Sequence, residues 1–577
     1  MKILGLLGFG YNPAAALVID GHLAGFVEEE RMINFKGAHF MFPGMAAKWC
    51  LEKANLTLDD IDYIAWGWDN PAYKIKMPLF FVKQYFKHGF LKESDGSVGD
   101  VISSEIFGHL PGTVRTKTRE GLRRAGLKGK IPAIEFIEHH EAHVASTYLL
   151  SGFDEAAVIV IDGSGEYICT SIWHAKDGKY KLNRTIDIPH SLGWFYAGMT
   201  DYLGFIPYRD EGKVMGLAPY GNRVPEWEEK IANIIKISSD SYEIDPSYFL
   251  LGTHDAGKHF SDKLVKLFGP PRYYGEPLDQ KIKDIAFTVQ DTLEKAVLSI
   301  VRVATTSGKI RNVCVAGGVG LNCKMNGVIR QSPYVDKIFA QPASGDAGAA
   351  LGAAIALSHK VGEWKPFRLK NVYYGPSSTD DEIKRELDIA GVKYSRPDNI
   401  AQKIAKAISE GKIIAYFDGA LEFGARALGH RSILANPCDP AMKDKVNVRV
   451  KFREPWRPFC PSLMSEHKHD YLEDADDAEF MIVAYQAKKG VNALLPSVVH
   501  IDNSVRPQTV EKDTNPRYWE MLKELKSLTG HPVVMNTSFN LRGQPMIAQP
   551  RDAIACFFTN GLDVLVLNNY WIEKNTK

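Results

Sequence analysis

Ile3-Leu4-Gly5-Leu6-Leu7 runs into the loop Gly8-Phe9-Gly10-Tyr11-Asn12-Pro13, and the apolar stretches Ala14 to Ile19 and Leu23 to Val27 then flank an Asp20-Gly21 pair. Five consecutive apolar or small residues fit a buried strand, and an Asp-Gly pair between two apolar runs is a strong two-residue hairpin signal. The same plan returns later. Val158 to Ile161 reads as a strand, Asp162-Gly163-Ser164-Gly165-Glu166 as the loop, and Tyr167 to Ala175 as a strand that reaches a second hairpin turn at Asp177-Gly178. Each unit predicts a glycine-containing loop between strands, where backbone N–H groups can surround a phosphate.

Duplicated strand, loop and hairpin units followed by helices resemble the actin and sugar-kinase superfamily, in which phosphate sits in the cleft between two related lobes. The segments that follow fit this plan. Ile282 to Thr306 has helical periodicity, Asn312 to Ala316 is a short apolar strand, and Gly317-Gly318-Val319-Gly320-Leu321-Asn322 turns into another helix. Lys337 to Ala340 is a strand that leads through Ser344-Gly345-Asp346 into a small-residue helix from Ala347 to Leu357. Asp346 there is either a ligand or a helix cap.

A chain of 577 residues exceeds one hydrophobic core. We expect a first domain over residues 1–361, an aperiodic linker rich in proline, glycine and serine over 362–378, and a second α/β domain over 379–577. The second opens with the acidic helix start Thr379-Asp380-Asp381-Glu382, a helix from Ile400 to Glu410, and the strand Ile413 to Phe417. No apolar run is long enough for a membrane span, and Met1 to Phe9 lacks a cleavage site, so the expectation is a cytoplasmic protein without a membrane partner. The 70 Lys and Arg nearly balance 69 Asp and Glu, a net charge of +1 that gives no global attraction for nucleic acid. Seven scattered cysteines without CxxC spacing argue against a disulfide scaffold and against a thiolate zinc site.

In His139-His140-Glu141-Ala142-His143 the outer histidines are four apart. On a helix they share one face and can ligate one divalent metal as neutral imidazoles, although surface or capping histidines recur at this interval by chance. Asp162 and Asp346 fall at equivalent loop ends of the two proposed lobes. Two imidazoles with two carboxylates suit Fe(II), Mn(II) or Zn(II).

The HHEAH run, the DGSGE loop, GGVGLN and SGDAG, in this order, resemble the transferase domain shared by tRNA threonylcarbamoyladenosine synthesis and antibiotic O-carbamoyltransferases. The second domain carries Glu422-Phe423-Gly424-Ala425-Arg426-Ala427-Leu428-Gly429-His430-Arg431-Ser432, then Asn447-Val448-Arg449-Val450-Lys451-Phe452-Arg453-Glu454-Pro455-Trp456-Arg457-Pro458-Phe459, and Asn536-Thr537-Ser538-Phe539-Asn540. These resemble the YrdC-like domain of the O-carbamoyltransferases that include the nodulation protein U, cephem and tobramycin carbamoyltransferase groups, and the match extends over essentially the whole chain. The resemblance implies an ATP-dependent enzyme that makes carbamoyl-adenylate from carbamoyl phosphate and carbamoylates a hydroxyl of a small molecule, an antibiotic, other natural product or sugar. It implies His139, His143, Asp162 and Asp346 as metal ligands, with Fe2+ as the metal, Mn2+ or Zn2+ as alternatives, and Mg2+ accompanying ATP.

By the same resemblance Gly317 and Gly318 would contact the nucleotide, and Asn322, with Tyr11 and Asn12 in the first loop, would bind substrate or nucleotide. Lys36, which follows Glu28-Glu29-Glu30-Arg31, could hold the carbamoyl group as a catalytic residue, with a flexible surface lysine as the alternative. Arg426, Arg431, Lys451, Arg453, Arg457 and Arg506 could clamp two polyanions, since guanidinium forks match phosphate, and Asn536 and Ser538 could donate neutral hydrogen bonds. Solvated surface charge is the alternative for such a basic run, but its interleaving with Pro455, Trp456, Pro458 and Phe459 suits a shaped pocket.

One departure stands out. The family's first loop has His and Asp where this chain has Tyr11 and Asn12, and neither is a ready base at neutral pH. Asp210 or Glu211 in Asp210-Glu211-Gly212-Lys213 could replace it, water could serve, or the acceptor chemistry differs. Rival readings are a tRNA threonylcarbamoyladenosine-type transferase, a sugar kinase, and a nonenzymatic actin-like nucleotide-binding protein. A homodimer is compatible with the sequence.

Overall fold

The computed structural model describes residues 1–74, 76–79, 82, 108–250, 257–306 and 308–574. They divide into two compact units, one of Met1–Ala24 with Phe40–Arg368, the other of Gly25–His39 with Leu369–Lys577.

The first unit contains the same sheet twice. Strands β1 (Lys2–Leu7), β2 (Ala14–Ile19), β3 (His22–Glu28), β4 (Tyr63–Trp66) and β5 (Ala133–Phe136) lie in the order β3-β2-β1-β4-β5. The second sheet is built from β6 (Glu155–Gly165), β7 (Ile168–Lys176), β8 (Lys179–Asp187), β11 (Asn312–Ala316) and β12 (Lys337–Ala340), in the order β12-β11-β6-β7-β8, and β9 (Ile235–Ile237) pairs with β10 (Tyr242–Ile244) apart from it. In both sheets the first strand pairs antiparallel with the second and parallel with the fourth. The chain therefore has the duplicated lobes of the actin and sugar-kinase plan.

Local chemistry accounts for the register. Asp20 and Gly21 have φ of 48° and 74°, and Asp177 and Gly178 have 50° and 78°. Two consecutive left-handed residues form the tight turn whose twist matches the flanking strands, and Asp-Gly suits it. Strand β1 is buried on both faces, as its unbroken apolar run requires.

The Asp162–Glu166 segment departs from the loop expected there. Strand β6 continues to Gly165, which pairs with Ile168 after a register shift that follows Ile161, and the chain turns at Glu166 with φ of 40°. A bulge thus re-aims the Asp162 carboxylate without ending the strand. Glycine is required at 165, because a Cβ there would meet the rings of His139 and His140.

Helix His139–Tyr148 packs against helix Asp346–Lys360. Gly352 lets their backbones approach, since a Cβ on it would overlap the Ala142 carbonyl oxygen.

In the second unit, β13 (Ile414–Phe417), β14 (Arg431–Ala435), β15 (Cys460–Met464), β18 (Gln508–Val510), β19 (Val533–Ser538), β20 (Val564–Leu567) and β21 (Tyr570–Glu573) form a seven-stranded mixed sheet, with β16 (Tyr485–Gln486) and β17 (Ser504–Val505) paired separately. Thr379 closes a capping box with Glu382, and Gly411 takes φ of 83° beyond the helix Ile400–Ser409. Leu369 and Val372 are buried within this unit, and Val372 accepts a hydrogen bond from the Phe423 amide. This unit is an α/β domain, its helices packed with one mixed sheet.

Among the described residues, no helix is long and apolar enough to cross a membrane.

Gly352→Ala is expected to destabilise the protein by about 1–3 kcal/mol, the usual cost of overpacking. A lowered urea midpoint at unchanged slope would show it; an unchanged midpoint would mean the two helices can separate without penalty.

Candidate active site

The bulge and the two helices bring four donors together in the first unit. His139, His143, Asp162 and Asp346 each offer an atom within 4.8 Å of all the others. His143 Nε2 lies 3.2 Å from His139 Nε2 and 3.1 Å from Asp162 Oδ2, and His139 Nε2 lies 3.3 Å from that same oxygen. Bonds of about 2.0–2.1 Å to one metal ion set its ligand atoms roughly 3.0–3.4 Å apart, so this near-equilateral triangle fits a divalent cation. Asp346 Oδ1 is farther, 3.9 Å from His139 Nε2.

The ligand tautomer is fixed from behind. His139 Nδ1 lies 3.0 Å from the Gly67 carbonyl oxygen, to which it can only donate, leaving the Nε2 lone pair facing the cluster. Trp68 covers the His139 ring at 4.6 Å. Asp162 Oδ1 accepts from the amides of Gly163 and Gly318, at 2.7 and 3.1 Å, so its other oxygen is free to point at the histidines. Gly317, at φ of 88°, packs on Ile161, where a side chain would collide with backbone.

Charge is divided unevenly over these groups. Burial opposes a proton on His139, yet the hydrogen bond to Asp162 and the charges of Asp346, Asp162 and Glu166 raise its pKa to about 10. Burial holds His143 below the usual histidine range. Burial and the neighbouring Asp162 charge push Asp346 up to about 7. Burial works against the Asp162 charge, but both histidine hydrogen bonds outweigh it and keep that carboxylate well below its ordinary range.

Two further acids, Glu138 and Glu166, stand buried or nearly so beside the cluster. Glu138 caps the helix, accepting from the amides of His140 and Glu141. Glu166 Oε1 accepts from the amides of Asp69 and, at 3.4 Å, His139. The acidic cap directly before the HHEAH run was the readable clue to the first; the second depends on a contact with Asp69, far away in the chain.

The acceptor-side candidates are differently placed. Asp210 Oδ2 pairs with Lys213 Nζ at 2.8 Å and accepts from the Ile206 amide, while Glu211 Oε1 accepts from the Tyr208 amide. Both carboxylates are thus tied into their own turn. Tyr11 stacks on Tyr208, and its amide donates to Asp346. Asn12 takes φ of 45°. Asn322 caps helix Cys323–Gln331 and exchanges amide hydrogen bonds with Gln290.

In the second unit the Glu28–Arg31 segment is a structural clamp. Arg31 donates to the carbonyls of Glu422 and Gly424 and pairs with Glu28 at 3.1 Å, and Glu28 accepts from the Gly424 amide. Glu422, fully buried, accepts from the amides of Leu428, His430 and Arg431. Arg431 is also buried and gives its guanidinium to the carbonyls of Asp418, His430, Pro376 and Gly419. Its two terminal nitrogens are therefore committed to shaping the loop, and Asn536 likewise donates to Ala427, Ser462 and Gln508 inside the core.

Other cations of this unit lie close together. Lys451 is buried and donates to the carbonyls of Ser538 and Asn540 and to the Asn540 side chain, which Ser538 also contacts. Burial and the charges of Arg453, Lys36 and Arg457 hold its pKa well below the usual lysine range. Burial, then Arg457, lowers Arg453 to about 9. Arg453 stacks on Phe459 and bonds Asn447, Arg457 lies 3.9 Å from Glu454, and Arg506 directs two N–H groups at Cys460 Sγ. Arg426 is half-buried and Lys36 exposed. Burial is the first cause of both lowered pKa values and the neighbouring cations the second, and a bound anion would relieve the latter.

Residues 2–355 match the model of the carbamoyltransferase N-terminus, and residues 405–574 match that of the carbamoyltransferase C-terminus. The chain belongs to the carbamoyltransferase family. It is 33% identical to Nodulation protein NolNO of Sinorhizobium fredii, over 98% of this chain and 80% of that one. It is 35% identical to Nodulation protein U of the same organism, over 96% of each chain, and 34% identical to the uncharacterized protein sll1178 of Synechocystis, over 100% of this chain and 97% of that one. Membership makes this carbamoyltransferase an enzyme and sets aside the nonenzymatic actin-like reading.

Metal uptake by this carbamoyltransferase should release protons, because His139 must lose the proton it holds up to a pKa of about 10. Affinity is therefore expected to rise with pH between 6 and 9, by up to about tenfold per unit for each proton displaced. Calorimetry of Mn2+ binding in buffers of different ionisation heat would measure it, and pH-independent affinity would place the metal elsewhere. His143→Ala should lower bound metal by elemental analysis.

Proposed function

We propose that the second unit makes carbamoyl-adenylate from carbamoyl phosphate and ATP, and that the first unit transfers its carbamoyl group to an acceptor hydroxyl. The observation that carries this reading is the gathering of Lys451, Arg453 and Arg457, with the first two buried or nearly so, a concentration of cations that suits a polyanion. Two phosphorylated substrates supply one.

In the first step carbamoyl phosphate is hydrolysed to carbamate and inorganic phosphate. A carbamate oxygen then attacks the α-phosphorus of ATP, and the bond to the β-phosphate breaks, releasing pyrophosphate. Arg453, Arg457 and Arg506 would hold phosphate oxygens, Arg426 and Lys36 would complete the positive surround, and Lys451 would keep Ser538 and Asn540 in place. Mg2+ accompanies the ATP.

In the second step the acceptor oxygen attacks the carbamoyl carbon, the bond to AMP breaks, and the hydroxyl proton is lost. Gly317 and Gly318 would admit the nucleotide close to backbone. A divalent cation, Fe2+ by the resemblance with Mn2+ or Zn2+ sharing its donor preference, would be held by His139, His143, Asp162 and Asp346 and would stabilise charge on the departing phosphate. The acceptor is a hydroxylated small molecule.

Incubation with carbamoyl phosphate, ATP, Mg2+ and Mn2+ is expected to yield AMP and pyrophosphate, with carbamoyl-adenylate seen by mass spectrometry. ADP as sole nucleotide product would refute the adenylate route. Arg457→Ala should slow adenylate formation on the order of 10–100-fold, the worth of one or two charge-assisted hydrogen bonds, whereas His143→Ala should block the transfer step.

A further inference from the structure

Helix Pro111–Arg124 and the turn after it concentrate a charge that the rest of the chain does not have. Residues 111–130 hold seven Lys and Arg against the single acid Glu120, which leaves 63 against 68 over the remaining chain. All seven cations are exposed, while Pro111, Val114, Thr118 and Leu122 form the buried stripe that packs the helix on the first unit. Arg115, Arg119 and Arg123 follow one another at intervals of four, so they make one ridge along the outer face.

Helix stability does not ask for this pattern. Cations near a helix C-terminus complement its dipole, and Arg123 there donates to the carbonyls of Leu127 and Gly129 at 3.1 and 2.6 Å. Arg115 and Arg119 have no such ground, since the first turn carries no acid and like charges four apart repel. Glu120, the one acid of the segment, faces Arg124 at 3.7 Å.

Apolar side chains stand beside these cations. A Cβ on Gly121 would meet the Phe42 ring, and a Cβ on Gly44 would lie 3.1 Å from that of Ala125, so segment 41–45 runs along this edge of the helix. In it Met41 and Met45 are 41% and 38% exposed. Lys117 and Arg124 stand four before and three after Gly121, on its side of the helix, and flank the segment. Lys117 also lies 5.3 Å from the Phe9 ring, and the Phe9 amide donates to the Met41 carbonyl. Flexible thioether side chains exposed between cations fit neither a core nor a simple solvated face.

We propose that, among the described residues, this face is a peripheral docking surface for an anionic lipid bilayer, with the arginine ridge and Lys117 on the headgroups and Met41 and Met45 entering the boundary with the acyl chains. Cations gain from the negative potential of such a leaflet, and apolar side chains gain from its hydrocarbon. A nucleic acid offers the phosphates without the apolar phase, so the methionines favour lipid. No spanning helix is required, and the expectation of no membrane partner, which rested on the lack of a long apolar run, does not reach this face. The inference concerns where the enzyme is held and not which hydroxyl it carbamoylates.

Co-sedimentation of the full chain with vesicles of phosphatidylcholine alone, or of phosphatidylcholine mixed with phosphatidylglycerol, tests it. Binding to the anionic vesicles roughly tenfold above that to phosphatidylcholine is expected, with loss in high salt. Arg115→Glu with Arg119→Glu should lower it on the order of tenfold, and Met41→Ser with Met45→Ser severalfold, each with unchanged circular dichroism. Lys393→Glu with Lys489→Glu, at exposed lysines of the second unit, should leave it unchanged. Equal or absent binding to the two vesicle types, an equal loss in both charge-reversed pairs, or no effect of the methionine changes overturns the lipid face. Binding to a double-stranded RNA that exceeds vesicle binding at equal phosphate and ignores the methionine changes would give the ridge to nucleic acid and overturn it as well. The readout needs neither ATP nor carbamoyl phosphate, so failure of the adenylate scheme would leave this result standing.

Discussion

The buried Asp162 carboxylate, facing two imidazoles at 3.1 and 3.3 Å, is the constraint around which the first unit is arranged. An ionised acid in such a place is costly unless its charge is matched. Here one oxygen is satisfied by two backbone amides, and the other is left to the histidines. Everything that delivers those partners follows: the bulge in β6, the glycines at 165, 317 and 318 that admit rings and backbone, and the close approach of two helices at Gly352.

Much of this was readable in the sequence because it depends on short-range chemistry. The Asp20-Gly21 and Asp177-Gly178 turns declare themselves, and once two hairpins are matched the loop ends at Asp162 and Asp346 become equivalent positions. The four-residue spacing of His139 and His143 then has carboxylates to meet.

What the sequence hid depends on distance along the chain. Glu28 and Arg31 find their partners at Gly424 and Glu422, nearly four hundred positions away, so a basic and acidic run that looks like a surface helix is a buried clamp. Strand β3 carries the chain out of the first unit, and it returns at Phe40. Arg431 and Asn536 sit inside motifs that also hold Arg453 and Ser538, and residue type alone cannot separate a guanidinium that shapes a loop from one that faces a ligand. Only the four carbonyls around Arg431 do so. Glu166 was legible as part of a loop but not as a buried acid, since its partner is the amide of Asp69.

The two units differ in how they treat charge, and the difference matches the anions proposed for each. With neutral imidazoles, two carboxylates cancel a dication, so the first unit has little net attraction left for phosphate and must rely on backbone amides. That suffices for one phosphodiester-like charge, as on an adenylate. The second unit keeps several cations close together, and burial first and Arg457 next lower Arg453 to about 9. Such self-repulsion is wasteful for a monoanion and is repaid only when several phosphate charges arrive together. The overall net charge of +1 conceals this. The chain's electrostatics are local, with positive charge gathered where triphosphate would be consumed and neutrality kept where a single phosphate would leave.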